Sequence, residues 1–328
     1  ESLLNAIKAL GFEQPTPIQE QALPLALQKK DILGTAQTGT GKTGAFGIPL
    51  ANFLLNSPLE QGLILTPTRE LAAQVYDVMK QLLGKSFYPA LLVGGAPIFK
   101  QIAQLKRRPQ LLIGTPGRIN DLINRKAIRL ENVKTLVLDE VDRMLDIGFK
   151  DQLDDIVEFL PKSRHTMMFS ATLSPEVLKT ANLYLTNPER ISVGSINQPI
   201  TKIKQESIKT TSKEKFTLLQ DTLTAIDGSS IVFVKTKRGC DELSGRLEDL
   251  HFSCVALHGD LPQRKRSRVI DMFKKGAKKI LIATDVASRG LDISLVECVI
   301  NFDLPQVAED YIHRIGRTGR ANREGSAI

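Results

Sequence analysis

The 328-residue chain has no tryptophan, and aromatic residues make up only 5% of it. A platform of aromatic rings for stacking nucleobases is therefore not in view. Its three cysteines, Cys240, Cys254 and Cys298, stand far apart and form no CxxC pair. That spacing excludes a zinc ribbon or a disulfide framework and points to a reducing, cytoplasmic setting. No apolar run approaches the roughly 20 residues of a membrane span. The first residues do not carry a signal-peptide pattern. Acidic excess is also missing: the net charge is +8.

What is present is an ordinary globular composition, 42% hydrophobic and 24% charged. The length suggests about two domains on a prior of roughly 150 residues each. From Thr201 onward there are 22 Lys+Arg against 17 Asp+Glu, and before it 22 against 19. The basic excess is thus shared by both halves, which favours a polyanionic partner.

The chain is organised around Ala36–Thr43, AQTGTGKT. Gly39 and Gly41 stand where backbone must crowd a phosphate. The amides of Ala36, Gln37, Thr38, Gly39, Thr40 and Gly41 can then turn toward its oxygens. Lys42 adds a point charge for the outer phosphates, and Thr43 offers a hydroxyl to Mg²⁺. The usual pattern begins with glycine, and Ala36 holds that place.

Short apolar runs alternate with helical spacing through the first half, and each run ends in a polar signature. Leu63–Leu65 precedes PTRELA, Ala90–Val93 precedes Gly94–Gly95, and Leu111–Ile113 precedes TPGR. Leu136–Leu138 precedes DEVD, and Met167–Phe169 precedes SAT. This βαβα order predicts a parallel sheet with helices on both faces and ligands at the carboxyl ends of its strands. Periodicity lapses over 191–204, which reads as a linker, and the alternation then restarts. The expected domains are residues 1–190 and 205–328, the second cut short at its end.

Asp139, opposite a phosphate loop, can hold Mg²⁺, and Glu140 can orient and deprotonate a water. Gln19 suits a two-point contact with adenine, or simply a helix start. Phe12 can stack on the base or fill the core. His313 and Arg317 share a face if the helix runs through both. Arginines arriving from a second domain are what phosphoryl transfer needs. Thr68, Arg69, Gly94, Gly95, Thr115, Gly117 and Arg118 suit a sugar–phosphate backbone read without regard to sequence. The charge runs Lys106–Arg108 and Arg264–Arg268 read as solvated surface.

With these motifs in this order, the chain resembles the DEAD-box ATP-dependent RNA helicases from Gly11 to Arg320. The resemblance implies two tandem RecA-like α/β domains and ATP with Mg²⁺ between them. It implies adenine contacts from Phe12 and Gln19, and Asp292 on the ribose. Lys42, Glu140, Arg317 and Arg320 would carry catalysis, and Thr43 and Asp139 would hold the metal. Ser170 and Thr172 would couple hydrolysis to strand separation. RNA would run along Thr68, Arg69, Gly94, Gly95, Thr115, Gly117 and Arg118 together with Arg266 and Thr284. Protein partners would use a tail beyond this chain. Val141 stands where the family's name has alanine. A DNA helicase would bring a cysteine-rich zinc module, and a small-molecule kinase would not need the second motif-bearing half. A non-enzymatic RNA clamp would not need Lys42, Glu140 and Arg317 together.

Overall fold

The structure is a computed structural model, described for residues 2–36, 39–57, 59–85, 87–193, 203–285, 296–305, 307–319 and 325–328. The chain divides into two compact units, Glu1–Asn197 and Gln198–Ile328.

The first unit opens with helices α1 (Ser2–Ala9) and α2 (Pro17–Leu27) and then alternates. Strands β1 (Ile32–Thr35), β2 (Gln61–Leu65), β3 (Ala90–Leu92), β4 (Leu111–Gly114), β5 (Val133–Leu138), β6 (His165–Ser170) and β7 (Glu189–Ser192) form one sheet. Between them lie α3 (Lys42–Asn56), α4 (Arg69–Leu83), α5 (Ile98–Leu105), α6 (Pro116–Asn124), α7 (Val141–Asp146), α8 (Lys150–Glu158) and α9 (Pro175–Tyr184). The strand order is β3-β4-β2-β5-β6-β1-β7, with every pairing parallel.

These strands are short apolar runs because both of their faces are covered. Met167 and Phe169 of β6 pack into one core, with Ile64, Val137 and Phe46. Met168 between them packs into the other, with Leu63, Leu65 and Val141. Phe46 and Phe169 meet with ring centroids 5.6 Å apart.

In the second unit β8 (Ile203–Gln205), β9 (Ser230–Phe233), β10 (Cys254–Leu257), β11 (Ile280–Ala283), β12 (Cys298–Ile300) and β13 (Gly325–Ala327) form a parallel sheet, ordered β10-β11-β9-β12-β13-β8. Its described helices are α10 (Lys215–Thr224), α11 (Lys237–Asp249), α12 (Gln263–Lys274) and α13 (Ala308–Ile315). The three cysteines are buried here, and burial pushes the Cys240 thiol up to about 12.

The two doubly covered parallel sheets agree with the α/β architecture read from the alternation. The stretch 191–204 is corrected at its ends. Ile191 and Ser192 belong to β7, which pairs with β1. Ile203 and Lys204 belong to β8, which pairs with β13. Both strands are edges of their sheets, too short for a period-2 pattern to show. Residues 194–202 lie outside the described set. No described helix is long and apolar enough to cross a membrane.

Candidate functional site

The motif residues of the first unit gather at the carboxyl edge of its sheet, in two groups. One group lies past β1, β5 and β6, which are neighbours in the order β5-β6-β1. The other lies past β2, β3 and β4.

In the first group, Ala36 follows β1 and its N–H donates to the Ser170 carbonyl at 3.0 Å. Gln37 and Thr38 lie outside the described residues. Gly41 caps α3 at φ 94°, in the left-handed region that only glycine enters freely. A Cβ there would also stand 2.7 Å from Thr16 Oγ1 and 2.8 Å from Gln19 Nε2. Lys42 therefore begins a helix, with its ammonium at the end where backbone N–H groups are unpaired. It is 5% exposed, and Nζ has no hydrogen-bond partner among the described residues. A buried lone ammonium calls for an anion.

Asp139 follows β5 and answers that charge. Its Oδ1 is buried without a partner. Burial raises its pKa from the ordinary carboxylate value to about 6; Lys42 pulls it back down, while Glu140 and Asp142 push it further up. Such an oxygen fits a divalent cation, which replaces the lost solvation with charge. Thr43, half-buried in the first turn of α3, is the second candidate ligand.

Glu140 takes φ 57° at the cap of α7, a left-handed position for a residue with a side chain. Its Oε2 accepts from Arg143 Nη1 at 2.8 Å, with both side chains almost fully buried. Asp142 faces the SAT turn. Its Oδ2 accepts from the backbone N–H groups of Ala171 and Thr172, each at 3.0 Å, and from Thr172 Oγ1 at 3.3 Å. Ser170 Oγ is buried without a partner. The structure thus adds Asp142 and Arg143 to the site. Their charge next to two assigned acids was the available signal, but pairing in three dimensions cannot be read from spacing.

Gln19 sits one turn into α2, 2% exposed. Its Oε1 accepts from Thr16 N–H at 3.0 Å, and its Nε2 donates to the Gly41 carbonyl at 3.0 Å. The helix-start reading of Gln19 holds, since it closes half of a capping box, and its bond to Gly41, which the sequence did not suggest, ties it to the 36–43 loop. Each end of the amide keeps one further hydrogen-bonding capacity for a base. Phe12 is half-buried. A Cβ on Gly44 of α3 would lie 3.5 Å from its ring, so Phe12 borders the first turn of α3.

The second group is built on helix starts. Thr68 caps α4, accepting from Leu71 N–H at 3.2 Å. Arg69 lies against the glycine pair: a Cβ on Gly95, which has φ 74°, would fall 2.1 Å from Arg69 Nη1, and one on Gly94 would fall 3.3 Å from Nη2. Arg118 Nη1 donates to the Ala96 carbonyl at 3.2 Å. Thr115 caps α6, and Gly117 in its first turn is exposed. Three helix N-termini and two arginines therefore line this part of the edge, a surface suited to successive phosphates.

In the second unit α13 ends at Ile315, so Arg317 lies in the following turn and shares no helix face with His313. Gly316 caps the helix before Arg317 can join it. Arg317 is 2% exposed. Arg314 is the anchor of this segment. It holds both Asp285 oxygens, at 2.6 and 2.7 Å, and also the Asn301 side chain and the Asp303 carbonyl. Arg266 and Thr284 are buried, the first on α12 and the second just past β11. Arg266 is therefore not the solvated residue that its basic run suggests, whereas Lys106–Arg108 is exposed throughout. Asp292 and Arg320 lie outside the described residues.

Residues 16–181 match the DEAD/DEAH box helicase family, and residues 214–322 match the helicase conserved C-terminal domain. The chain is 44% identical to the ATP-dependent RNA helicase CshA of Limosilactobacillus reuteri, over all of this chain and 67% of that protein. To the DEAD-box ATP-dependent RNA helicase CshA of Bacillus subtilis it is 45% identical, over 99% and 67%. Across such relatives the chain spans 62% to 67% of their length. The solved structure of Saccharomyces cerevisiae Dbp5 bound to RNA and ADP BeF3 is 36% identical. It matches all of this chain and 86% of that one, with a TM-score of 0.87.

Proposed function

The chain belongs to the DEAD/DEAH box helicase family, and on that premise we propose that it is the ATP-hydrolysing core of an RNA helicase that separates short duplexes locally. One observation carries the reading: Lys42 Nζ and Asp139 Oδ1, beside the 36–43 loop, are both buried and have no hydrogen-bond partner among the described residues. A buried cation and a buried acid that leave each other without a hydrogen bond are poised for a third party carrying both signs. Nucleotide phosphate with Mg²⁺ is that party.

On this reading Gln19 and Phe12 take the adenine, and Lys42 and the loop amides take the phosphates. Thr43 and Asp139 hold Mg²⁺, which would neutralise charge on the phosphate oxygens. Glu140 orients the attacking water and accepts its proton. Arg317 and Arg320 stabilise the transferring phosphoryl group. Asp292 holds the ribose. Thr172, tied to the DEVD box through Asp142, and Ser170, at the end of β6, relay the nucleotide's state to the RNA contacts. Thr68, Arg69, Gly94, Gly95, Thr115, Gly117, Arg118, Arg266 and Thr284 contact RNA backbone, so recognition ignores sequence. The reading places the protein in the cytoplasm. Solved Dbp5, bound to RNA and ADP BeF3, supports this choice of ligands.

The test is the ATP hydrolysis rate with no nucleic acid, with RNA, and with single-stranded DNA of the same sequence. Strong stimulation by RNA alone is the expected result. Equal rates in all three would overturn the RNA assignment, and no hydrolysis under any condition would overturn the enzyme.

A further inference from the structure

Two of the three helices that start at the candidate RNA edge, α5 and α6, finish at one basic cleft. Helix α5 starts three residues past Gly95, and α6 starts beside Thr115. With 8 and 9 residues, at about 1.5 Å per residue, they cross about 12–14 Å toward the amino edge of the sheet. There a cleft of about 600 Å³ opens between the ends of α5 and α6 and the starts of β2, β4 and β5. Arg108, Lys126 and Arg129 line it over a floor that includes Leu112 and Ile128, with Glu131 as its one acid. All three cations are exposed, and none makes an ion pair with a described acid.

Cations at helix C-termini have an ordinary use, since they offset the dipole. That account covers these residues only in part. At the end of α6, Arg125 already sits there and is held by Asp121 at 2.6 Å. Lys126 and Arg108 take φ 53° and 51°, positions that glycine or asparagine fills most easily. Arg129 lies past the helix, next to β5, where no helix end needs it. Three unpaired cations therefore converge on one cavity, two of them from strained backbone.

We propose that this cleft is a second anchor for RNA backbone, reached by a strand that leaves the carboxyl-edge track along α5 or α6. The proposal rests on the RNA reading above and extends it. RNA is favoured over an acidic peptide because the same two helices present the track at their other ends. The outer face of α5 and the turn after it continue the track: Lys100 and Gln104 on the helix and Arg107 just past it are all exposed. A strand covers the distance in a few nucleotides. The anchor lies wholly within the first unit. It therefore holds RNA whatever nucleotide is bound, and keeps a substrate attached after the track releases it.

The experiment compares the full chain with a triple variant, Arg108→Gln/Lys126→Gln/Arg129→Gln, and with the charge-preserving Arg108→Lys/Lys126→Arg/Arg129→Lys. The probes are single-stranded RNAs of about 6 and about 20 nucleotides, titrated across salt without nucleotide and with a non-hydrolysable ATP analogue. Three lost phosphate contacts should weaken binding of the long RNA about tenfold or more at low salt, and flatten the slope of log K against log salt by about 2. The short RNA should bind the triple variant and the parent chain alike, and the charge-preserving variant should restore the long one. An equal loss for both lengths, or no loss for the long RNA, overturns the anchor. So does a cleft that binds polyglutamate without competition from RNA. If the unsubstituted chain fails to bind even the short RNA, the RNA reading itself fails. Thermal melting of both variants, together with the charge-preserving rescue, separates lost contacts from lost folding.

Discussion

Arg143 donates to Glu140 at 2.8 Å inside the first unit, with 3% and 4% of the two side chains exposed. The proposed base is thus held in place by a buried guanidinium one turn further along α7. Glu140→Gln keeps an oxygen for Arg143 but cannot take a proton. It should still bind nucleotide while hydrolysis falls about 10²- to 10⁴-fold, and it should lose some stability because the buried Arg143 guanidinium no longer faces a charge. Arg143→Met leaves a buried carboxylate without its arginine and should destabilise the chain by about 3–5 kcal/mol. Adding Glu140→Gln to Arg143→Met should recover most of that loss. Urea unfolding of the three variants, with ATP hydrolysis alongside, checks both points. Ordinary turnover in Glu140→Gln would remove Glu140 from the chemistry.

Asp139 makes the metal-free protein pH-sensitive in a defined direction. Its folded pKa of about 6 lies above the ordinary value of 3.8, mainly through burial. Between these values the folded chain keeps a proton that the unfolded chain has lost. Stability therefore falls as pH rises through this window, by an amount on the order of 3 kcal/mol. Asp139→Asn should remove that slope and leave the apo protein more stable at pH 7 than the parent. Mg²⁺ competes with the same proton, so Mg²⁺-dependent nucleotide binding should weaken below pH 6 in the parent. Thermal melting from pH 4 to pH 8, with and without Mg²⁺, is the measurement. Parallel stability curves for the parent and Asp139→Asn would contradict the account.

Gln19 separates two uses of one amide. Gln19→Ala loses the bond to the Gly41 carbonyl and the bond from Thr16 N–H. The expected loss is about 1–3 kcal/mol of stability, along with the preference for ATP over GTP. Gln19→Glu keeps an acceptor for Thr16 but sets an oxygen against the Gly41 carbonyl. It should bind ATP more weakly than Gln19→Ala does. If Gln19→Glu binds ATP as the parent does, the grip on the loop has no consequence.

The sheet and its polar edge were legible because each strand is a continuous apolar run followed at once by a signature. Parallel strands covered on both faces leave that mark. The short edge strands β7 and β8 were not legible, since residues such as Ile191 and Ile203 stand nearly alone among polar neighbours. The residues proposed to hold phosphate and metal were named from local spacing. The ties between motifs did not: Asp142 reaches Thr172 and Arg314 reaches Asp285 across about 30 residues of sequence. Local periodicity also extended a helix through Arg317, where Gly316 ends it.

The last expectation concerns coupling between the units. Lys42, Asp139 and Glu140 belong to Glu1–Asn197, whereas Arg317 belongs to Gln198–Ile328. The proposed RNA contacts divide in the same way, with Thr68, Arg69 and Arg118 in one unit and Arg266 and Thr284 in the other. On the proposed assignments, neither unit holds a full set for hydrolysis or for RNA. A state that joins the two sets is therefore favoured by ATP and by RNA alike, and each must raise the other's affinity. Linkage requires the same factor in both directions, typically about 5- to 150-fold, or roughly 1–3 kcal/mol. Arg317→Ala should shrink that factor and nearly abolish hydrolysis, because the transition state loses a charge that the ground state scarcely uses. Weak ATP binding by the first unit should survive. The measurement pairs RNA affinity with and without a non-hydrolysable ATP analogue, and analogue affinity with and without RNA. Unequal factors would expose a third linked equilibrium. An RNA affinity that ignores the analogue would show that ATP and RNA are not coupled, and full RNA-stimulated turnover by residues 1–197 alone would show that hydrolysis does not need the second unit.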